Sequence, residues 1–561
     1  MFQSKNRIDF QDTLIAIFIV LSFMALGYLY TVPRVCGVYH DDAIYVSTAK
    51  ALAQGYGYRI INLPNSPSQT KYPFLYPILL AFIWKLYPKF PENIFFMQYV
   101  TTAISAISIG ICYLYFVRFR YVSRLIAFFS CAVCITAPEF LYFATNTLSE
   151  LPFLLLLVIA LWIFDSESEQ LLNGKFQGFL LGILLTLPYL CRSIGAVVII
   201  SGLLLWRFKV GSVRFMMLGI ILAIFPWIFW IVSSVGDFSH DPIKGYYTDY
   251  IGWWFELGAP FIDKIIITNL FHILLGSAKL IADGFYELLR PLSLPFVLVP
   301  FMFFGLITWV TILFNKEKLN FLKWVLVSYF LIICLWPWPP YRFLIPVLPF
   351  IAAYFFIGIN LSFKRFLSHR ALKVLNSSVF LVLISTNLFS VYKILLIHNN
   401  TGYPQTDYSE MVNWRSYENV FSWLRKNSSQ DDIIACGLDT MIYLYTNRTA
   451  IRPFINRPIS LFYGHNYPAT GTVEDLMKFL KTYSPTYFVK TPMPKFSEEQ
   501  SLNKLLDKSI ETFPSLFVPV YTGEDLRFKI FKVDIHQLNS GAEQLSKRRA
   551  ASQPFFISKL L

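Results

Sequence analysis

Residues 14–32 read LIAIFIVLSFMALGYLYTV, and after a short turn the chain continues His40-Asp41-Asp42-Ala43-Ile44-Tyr45. A helix rises about 1.5 Å per residue, so an unbroken apolar run of this length can cross the roughly 30 Å hydrocarbon core of a bilayer. No small-residue cleavage site follows the run, so it reads as a retained anchor and not a signal peptide. Lys5 and Arg7 precede it, which assigns the N-terminus to the cytoplasm and the acidic pair to the outer side. Whether the rest of the chain also belongs in lipid is a matter of composition.

Composition says that it does. Hydrophobic residues make up 55% of the 561 positions and charged residues 15%, and the mean hydropathy is +0.52. A chain with so little charge cannot present a solvated surface on every side, so it reads as a polytopic α-helical membrane protein. The net charge of +14 would suggest nucleic acid in a soluble protein. Here the basic residues fall in short clusters between apolar spans, where they set orientation, and nucleic acid is not expected as a partner. The seven cysteines lie mostly inside apolar segments, including Cys131 and Cys134, and read as packing residues with no redox or metal role.

Further spans are expected near residues 93–116, 125–143, 148–164, 214–232, 293–314, 324–337, 343–361 and 375–396. The basic clusters Arg118/Arg120/Arg124, Arg207/Lys209/Arg214, Lys316/Lys318/Lys323 and Lys364/Arg365/Arg370/Lys373 all become cytoplasmic under one condition. The apolar run from Phe176 to Trp206 must be two short helices meeting at the outer face, with Pro188 and Arg192 at the bend. That gives about eleven transmembrane helices, an inside N-terminus and an outside C-terminus.

The expected organisation is a transmembrane module over 1–396 with external loops 33–92 and 236–290, an extracytoplasmic α/β domain over 397–538, and a disordered tail over 539–561. In the second loop Tyr246, Tyr247, Tyr250, Trp253 and Trp254 read as an interfacial belt ahead of sugar stacking, and the amphipathic stretch from Ile265 to Leu289 reads as helices lying in the interface. After Lys393, Val420, Trp423 and Leu424 make an apolar helical face. Ile433 to Cys436, Phe488-Val489 and Phe528 to Val533 read as strands, and Thr472 with Asp475 reads as a capping box opening a helix through Leu480.

Asp41 and Asp42 are adjacent, so on a helix they point about 100° apart and do not form a close dyad. Either can be a helix N-cap, a role compatible with chemistry. In the expected topology Glu150 sits at the outer end of a helix hairpin, Arg192 at the outer bend and Arg342 just outside a span, while Lys71 shares the first loop with the acidic pair. A single arginine at a helix end is as well explained as a snorkelling anchor. Their common side argues for a shared polar cavity. A carboxylate with cations beside lipid suits group transfer from an anionic lipid, the acid taking a proton from an acceptor hydroxyl and Lys71, Arg192 or Arg342 binding the departing phosphate.

His40-Asp41-Asp42-Ala43-Ile44-Tyr45, Lys71-Tyr72-Pro73-Phe74-Leu75-Tyr76, Ser149-Glu150-Leu151-Pro152, Cys191-Arg192-Ser193-Ile194-Gly195 and Tyr341-Arg342-Phe343-Leu344-Ile345-Pro346 resemble the successive motifs of the GT-C membrane glycosyltransferases, in the branch of the lipid A aminoarabinose transferase and the protein O-mannosyltransferase-like proteins. The resemblance covers residues 1 to about 360. It implies a GT-C fold and an inverting glycosyltransferase that moves a sugar from a polyprenyl-phosphate donor to a hydroxyl of a lipid, glycan or protein acceptor. By it Asp41 matches the first-loop catalytic aspartate and Asp42 the acidic or polar residue that commonly follows. Lys71 matches the basic residue of a Lys-Pro-Pro turn, with Tyr72 in place of the first proline. Thr70 stands where some relatives carry an acid, so a metal site built from it is not supported; a divalent cation stays possible, and no cofactor is assigned.

The competing reading is a transporter or lipid flippase, which tends to place charges and broken helices near the midplane in two related halves. This chain gathers its charges toward one face and shows no matched halves. A ligand sensor leaves the ordered polar motifs unexplained. The expected setting is the bacterial plasma (inner) membrane, with the bilayer and a polyprenyl-phosphate sugar as partners.

Overall fold

The first apolar run folds as helix α1 (Phe10–Tyr30) in a computed structural model. The structure describes residues 8–119, 121–166, 174–206, 213–234, 247–248, 255, 259–289, 292, 294–314, 321–404, 411–454, 457–464, 468, 470–492, 498–534 and 537. The tail from Asn539, the basic residues Arg120, Arg207, Lys209, Lys316 and Lys318, and the aromatics Tyr246, Tyr250, Trp253 and Trp254 lie outside the described residues. A capping box between Asp9 and Asp12 opens α1. Arg124 reaches both carboxylates, at 2.5 Å from Asp9 and 2.8 Å from Asp12. The start of α1 and the basic loop before Arg124 therefore share a side.

The chain continues through α2 (Asp41–Ala53), α3 (Leu75–Leu86), α4 (Glu92–Phe119), α5 (Arg124–Thr136), α6 (Pro138–Thr145), α7 (Glu150–Ser166), α8 (Lys175–Cys191), α9 (Ala196–Trp206) and α10 (Val213–Ser233). Helices Ile262–Ile281, Leu294–Phe314, Phe321–Leu335, Leu348–Phe363 and His369–Thr401 follow. Among the described residues six helices are long and apolar enough to cross a membrane, or seven if α5 and α6 count as one span bent by 67°. The bend falls at Pro138, which has no N–H to continue the ladder of α5. Leu294–Phe314 equals α1 in length at 21 residues, the other expected spans are shorter helices, and length alone does not establish eleven crossings.

Two comparisons with the sequence reading are informative. The run from Phe176 to Trp206 is broken: α8 ends where Arg192 turns extended (φ −148°, ψ 136°), a 3₁₀ turn covers Ser193–Gly195, and α9 follows. The stretch from Ile265 to Leu289, expected to lie in the interface, falls instead on two helices, Ile262–Ile281 and Asp283–Leu289, and the first with its preceding turn reaches 23 residues, Ala259–Ile281, long enough to span. Its charged residues stand near its ends, Asp263 in the first turn and Lys279 in the last, which leaves an uncharged middle whose polar residues are Thr268, Asn269 and His272.

Small residues let α8 and α10 touch backbone to backbone, the packing device of helices in lipid. A Cβ added at Gly182 would lie 2.1 Å from the Met216 carbonyl oxygen, and one at Gly219 would lie 2.1 Å from that of Phe179. No flexible side chain can yield there. Gly182→Leu is expected to destabilise the protein by about 1–3 kcal/mol or more, read as a lowered melting temperature in detergent, while Leu180→Ala on the exposed face of the same helix stays near wild type.

Beyond Gly402, which ends the last long helix with φ 61°, the chain forms a mixed sheet. Strands β1 (Ile434–Cys436), β2 (Ala450–Ile451), β3 (Tyr487–Lys490), β4 (Phe517–Thr522) and β5 (Lys529–Val533) lie in the order β2-β1-β3-β5-β4. The pairs of β1 with β2 and β3 are parallel, and the pairs of β5 with β3 and β4 antiparallel. Helix Trp414–Asn427 buries Trp414, Tyr417, Phe421 and Leu424 at helical spacing. The Thr472–Asp475 capping box opens helix Val473–Tyr483.

This sheet shares its apolar core with the first loop, since Val35, Val38, Ile44, Ile60 and Leu63 join the same buried cluster. Main-chain contacts reinforce the docking: Ala450 N–H donates to the Asn62 carbonyl at 2.9 Å, and the Tyr445 hydroxyl, 2.5 Å from the Arg34 carbonyl, accepts from Cys36 N–H. The acidic loop and the C-terminal sheet therefore lie on one side.

Candidate active site

The turn into α2 decides where the acidic pair points. Gly37 takes φ 98°, and His40 takes φ 65°, a conformation rare for a side-chain-bearing residue. Asp42 is buried and turns back on this loop, accepting from the amides of Gly37 at 2.6 Å and Tyr39 at 3.2 Å. Burial, only partly offset by those amides, pushes its carboxyl up to about 6. Asp41, one residue earlier in the first turn, points elsewhere, as a 100° helical step requires.

Asp41 faces residues from distant parts of the chain. Its Oδ1 accepts from the Tyr72 hydroxyl at 2.6 Å and its Oδ2 from Arg342 Nη1 at 2.6 Å. Burial by itself would raise this carboxyl, but Arg342, Tyr72 and Lys71 outweigh it and hold the group below the ordinary carboxylate range. Arg342 also donates from Nε to Glu150, the first residue of α7, whose negative charge suits a helix N-terminus. Arg192 approaches the same Glu150 oxygen at 2.8 Å and donates to the Ser149 hydroxyl at 2.9 Å, which in turn bonds the Tyr45 hydroxyl at 2.8 Å.

Aromatic faces hold the cations. The Arg342 guanidinium lies 4.6 Å from the centroid of Tyr39 and 5.9 Å from that of Phe143, and the Arg192 guanidinium lies 5.9 Å from that of Phe343. Lys71 follows Gln69, whose side-chain oxygen accepts from the amides of Lys71 and Tyr72. Burial lowers the Lys71 ammonium to about 8, with Asp41 opposing and Arg452 and Arg342 adding to the shift. Thr70 donates its hydroxyl to the Thr248 carbonyl at 2.5 Å, so it is engaged in joining the two loops.

The structure thus joins Asp41, Arg342, Glu150 and Arg192 in one half-buried network, with Glu150 fully buried and Lys71 beside it, and sets Asp42 apart. Lys71, Arg192 and Arg342 against Asp41 and Glu150 leave one positive charge in excess, a setting that favours an anion. One oxygen of Glu150 and Nη2 of Arg342 have no hydrogen-bond partner among the described residues. Sequence reasoning missed Tyr45, although it lies four residues after Asp41 on the same helix face, the one signal that could have marked it. It named Tyr72 only as a departure from a proline, whereas the hydroxyl is a direct partner of Asp41.

No family model and no curated protein matches the sequence. The fold does match solved structures. The Archaeoglobus fulgidus oligosaccharyltransferase, in complex with zinc and sulfate, superposes with a TM-score of 0.52 over 92% of this chain and 73% of that one, at 11% identity. ArnT from Cupriavidus metallidurans bound to undecaprenyl phosphate gives a TM-score of 0.49 over 92% and 97% of the two chains, at 13% identity. The first likeness, at this identity, shows a shared fold alone.

Proposed function

We propose that the protein is an inverting glycosyltransferase that moves a sugar from a polyprenyl-phosphate-linked donor to a hydroxyl of a lipid, glycan or protein acceptor at the extracytoplasmic face of the membrane. The observation that carries this reading is the convergence of Asp41 with Arg342, Lys71 and the Arg192–Glu150 pair at the ends of α2, α7 and α8. The GT-C fold, shared with an oligosaccharyltransferase, supports it. So do the basic loop clusters, which favour a cytoplasmic N-terminus and an external C-terminal domain spanning 397–538 in a topology where the helix Ile262–Ile281, whose Ile265 packs on Ile459 and Tyr463, enters from the outer side and does not cross. The transport alternative is not favoured, because these charges sit at helix ends and not within apolar helix centres.

In this mechanism the acceptor hydroxyl oxygen attacks the anomeric carbon from the face opposite the phosphate. The new glycosidic C–O bond forms as the carbon–phosphate-oxygen bond breaks, its electron pair leaves with polyprenyl phosphate, and the hydroxyl proton passes to Asp41. Lys71 and Arg342 hold the phosphate and stabilise the charge that gathers on it. Arg192 and Glu150 keep the Arg342 guanidinium in place. An Asp41 clamped by Arg342 is a weak base, and the donor phosphate competes for the same guanidinium. Donor binding therefore loosens the clamp and raises the basicity of Asp41 when it is needed.

The pH dependence of donor binding tests the role of Lys71. The sugar donor is a phosphodiester, charged throughout the neutral range, and only the protonated ammonium attracts it. With the ammonium titrating at about 8, donor affinity is expected to be full below that pH and to fall by up to about tenfold per pH unit above it. Lys71→Arg, which stays charged, should abolish the slope. A wild-type dissociation constant flat from pH 7 to 10 would remove Lys71 from the phosphate site. Consumption of one labelled donor from a panel of polyprenyl-phosphate sugars tests the activity itself, and a compartment-specific reporter fused after Val533 tests the orientation.

A further inference from the structure

Behind the Asp41 site lies a second buried polar cluster that the transfer step does not use. Its centre is Asp439, fully buried at the start of the helix Asp439–Thr446 that follows β1. One carboxylate oxygen pairs with His40 Nε2 at 2.9 Å, and the other accepts from Asn62 Nδ2 at 2.9 Å and from the Tyr247 hydroxyl at 2.8 Å. Arg452, the residue after β2, stands 3.8 Å from Asp439 and donates from Nε to the Gly437 carbonyl at 3.0 Å. Burial alone would raise the Asp439 carboxyl, but His40, Arg452 and Tyr247 hold it low, so it is an ionised acceptor. Burial lowers His40, so the ring is neutral and its Nε2–H donates.

The position of this cluster in the sheet is telling. Asp439 and Arg452 leave the carboxyl ends of the parallel strands β1 and β2, while β3 lies on the other flank of β1. In α/β sheets that crevice, where successive connections diverge, is where ligands bind. Here the ring of His40 meets Asp439 at that end of the sheet, and His40 is the residue that immediately precedes Asp41. His40 holds φ 65° and ψ −55°, a strained backbone that persists only when its surroundings enforce it. Its carbonyl accepts the Ile44 amide at 3.1 Å and so opens α2. The direction of Asp41 thus depends on a ring gripped by the C-terminal sheet.

We propose that Asp439 is a positioning residue for Asp41: by gripping His40 it holds the entry of α2 in the conformation that aims Asp41 at Tyr72 and Arg342, which makes the docked C-terminal sheet part of the transfer machinery. This rests on the reading of Asp41 as the proton acceptor, and its test has an arm that does not.

The experiment uses the full chain in nanodiscs and compares Asp439→Asn, Asp439→Ala, His40→Ala and His40→Gln, the last retaining an amide donor for Asp439. The first arm is hydrogen exchange. Asp439→Ala and His40→Ala should speed exchange of the 37–44 amides by about tenfold or more, while the amides of β1 and β3 stay protected and so exclude unfolding of the sheet. The second arm is kinetics with the donor found by the panel. The same variants should lower kcat by about 10- to 100-fold with KM for the donor within about threefold, as expected of a displaced reacting group, and His40→Gln should recover most of what His40→Ala loses. Asp439→Asn should fall between wild type and Asp439→Ala. Wild-type exchange at 37–44 in Asp439→Ala and His40→Ala overturns the proposal. So does full kcat in His40→Ala, or a loss confined to KM. If no donor is consumed by the wild type, the proposed activity fails, while the exchange arm still decides whether Asp439 holds the loop.

Discussion

Asp41→Asn is expected to abolish transfer, lowering kcat by about 10² to 10⁴ while donor affinity is retained or slightly improved. The substitution nearly preserves shape, and its amide cannot take the acceptor proton. It also leaves Arg342 paired with Glu150, so no cation is stranded and folding should survive. Retained donor affinity is the discriminating part. If Asp41 competes with the donor phosphate for Arg342, removing its charge frees the guanidinium, whereas an aspartate that bound the donor would weaken binding when neutralised. Single-turnover kinetics with pre-bound donor separates the two.

Asp42→Asn should behave differently. Its carboxylate receives the amides of Gly37 and Tyr39 and is buried away from Tyr72 and Arg342. A side-chain amide has one acceptor oxygen where the carboxylate has two, so one of those amides loses its partner. The expected effect is a lower melting temperature with a smaller loss of rate. Near-normal turnover by Asp41→Asn with an inactive Asp42→Asn would move the base to the neighbouring residue. Normal turnover by both would sink the mechanism.

How much of this was legible in the sequence follows from where the information lies. Five of the six span-length helices among the described residues were, because a long apolar run is a local signal, whereas Ala259–Ile281, with Asn269 and His272 along it, read as interfacial. So was the break between α8 and α9, since Pro188, Arg192 and the basic residues that follow speak within one stretch of chain. The 67° bend at Pro138 was not, because the apolar run continues through it and only the missing N–H marks it. Strands β1, β3 and β5 were read from short buried apolar runs. β2 is two residues long, and β4 carries Pro519 and exposes Val518 and Val520, so neither shows the pattern that a strand is read by.

The site was legible as a set of residues and not as a geometry. Asp41, Glu150, Arg192 and Arg342 could be listed on one face from topology and family resemblance. That Arg342 meets Asp41 across 301 positions, or that His40 meets Asp439 across 399, leaves no trace in any window of sequence. Long-range ion pairs have no period. The same reason explains why the two aspartates could not be told apart beforehand: their separation in role comes from the turn at Gly37 and His40, whose positive φ values carry no reliable sequence signature at a histidine.

Arg342→Lys is expected to lower kcat/KM by about 10² to 10³ in a protein that still inserts and folds. One guanidinium reaches Glu150 through Nε and Asp41 through Nη1, and its Nη2 has no hydrogen-bond partner among the described residues. That third group gives a phosphate oxygen its first hold on Arg342, from which the phosphate draws the guanidinium away from Asp41. A lysine keeps the charge but offers a single ammonium on a flexible stem, which cannot bridge two carboxylates and fork onto a phosphate at once. The loss should therefore appear in both donor affinity and kcat. Arg192→Lys should cost less, because Arg192 contacts Glu150 and Ser149 and not Asp41, so an ammonium can replace its ion pair. A double substitution, Arg342→Lys with Asp41→Asn, should be little worse in kcat than Asp41→Asn alone if the arginine acts on rate through the clamp on that carboxylate, and worse by a further factor of about 10² if it stabilises the leaving phosphate independently. Full turnover and donor affinity in both lysine variants would show that the arginines are anchors at the membrane surface, and the phosphate site would have to be sought around Lys71 alone.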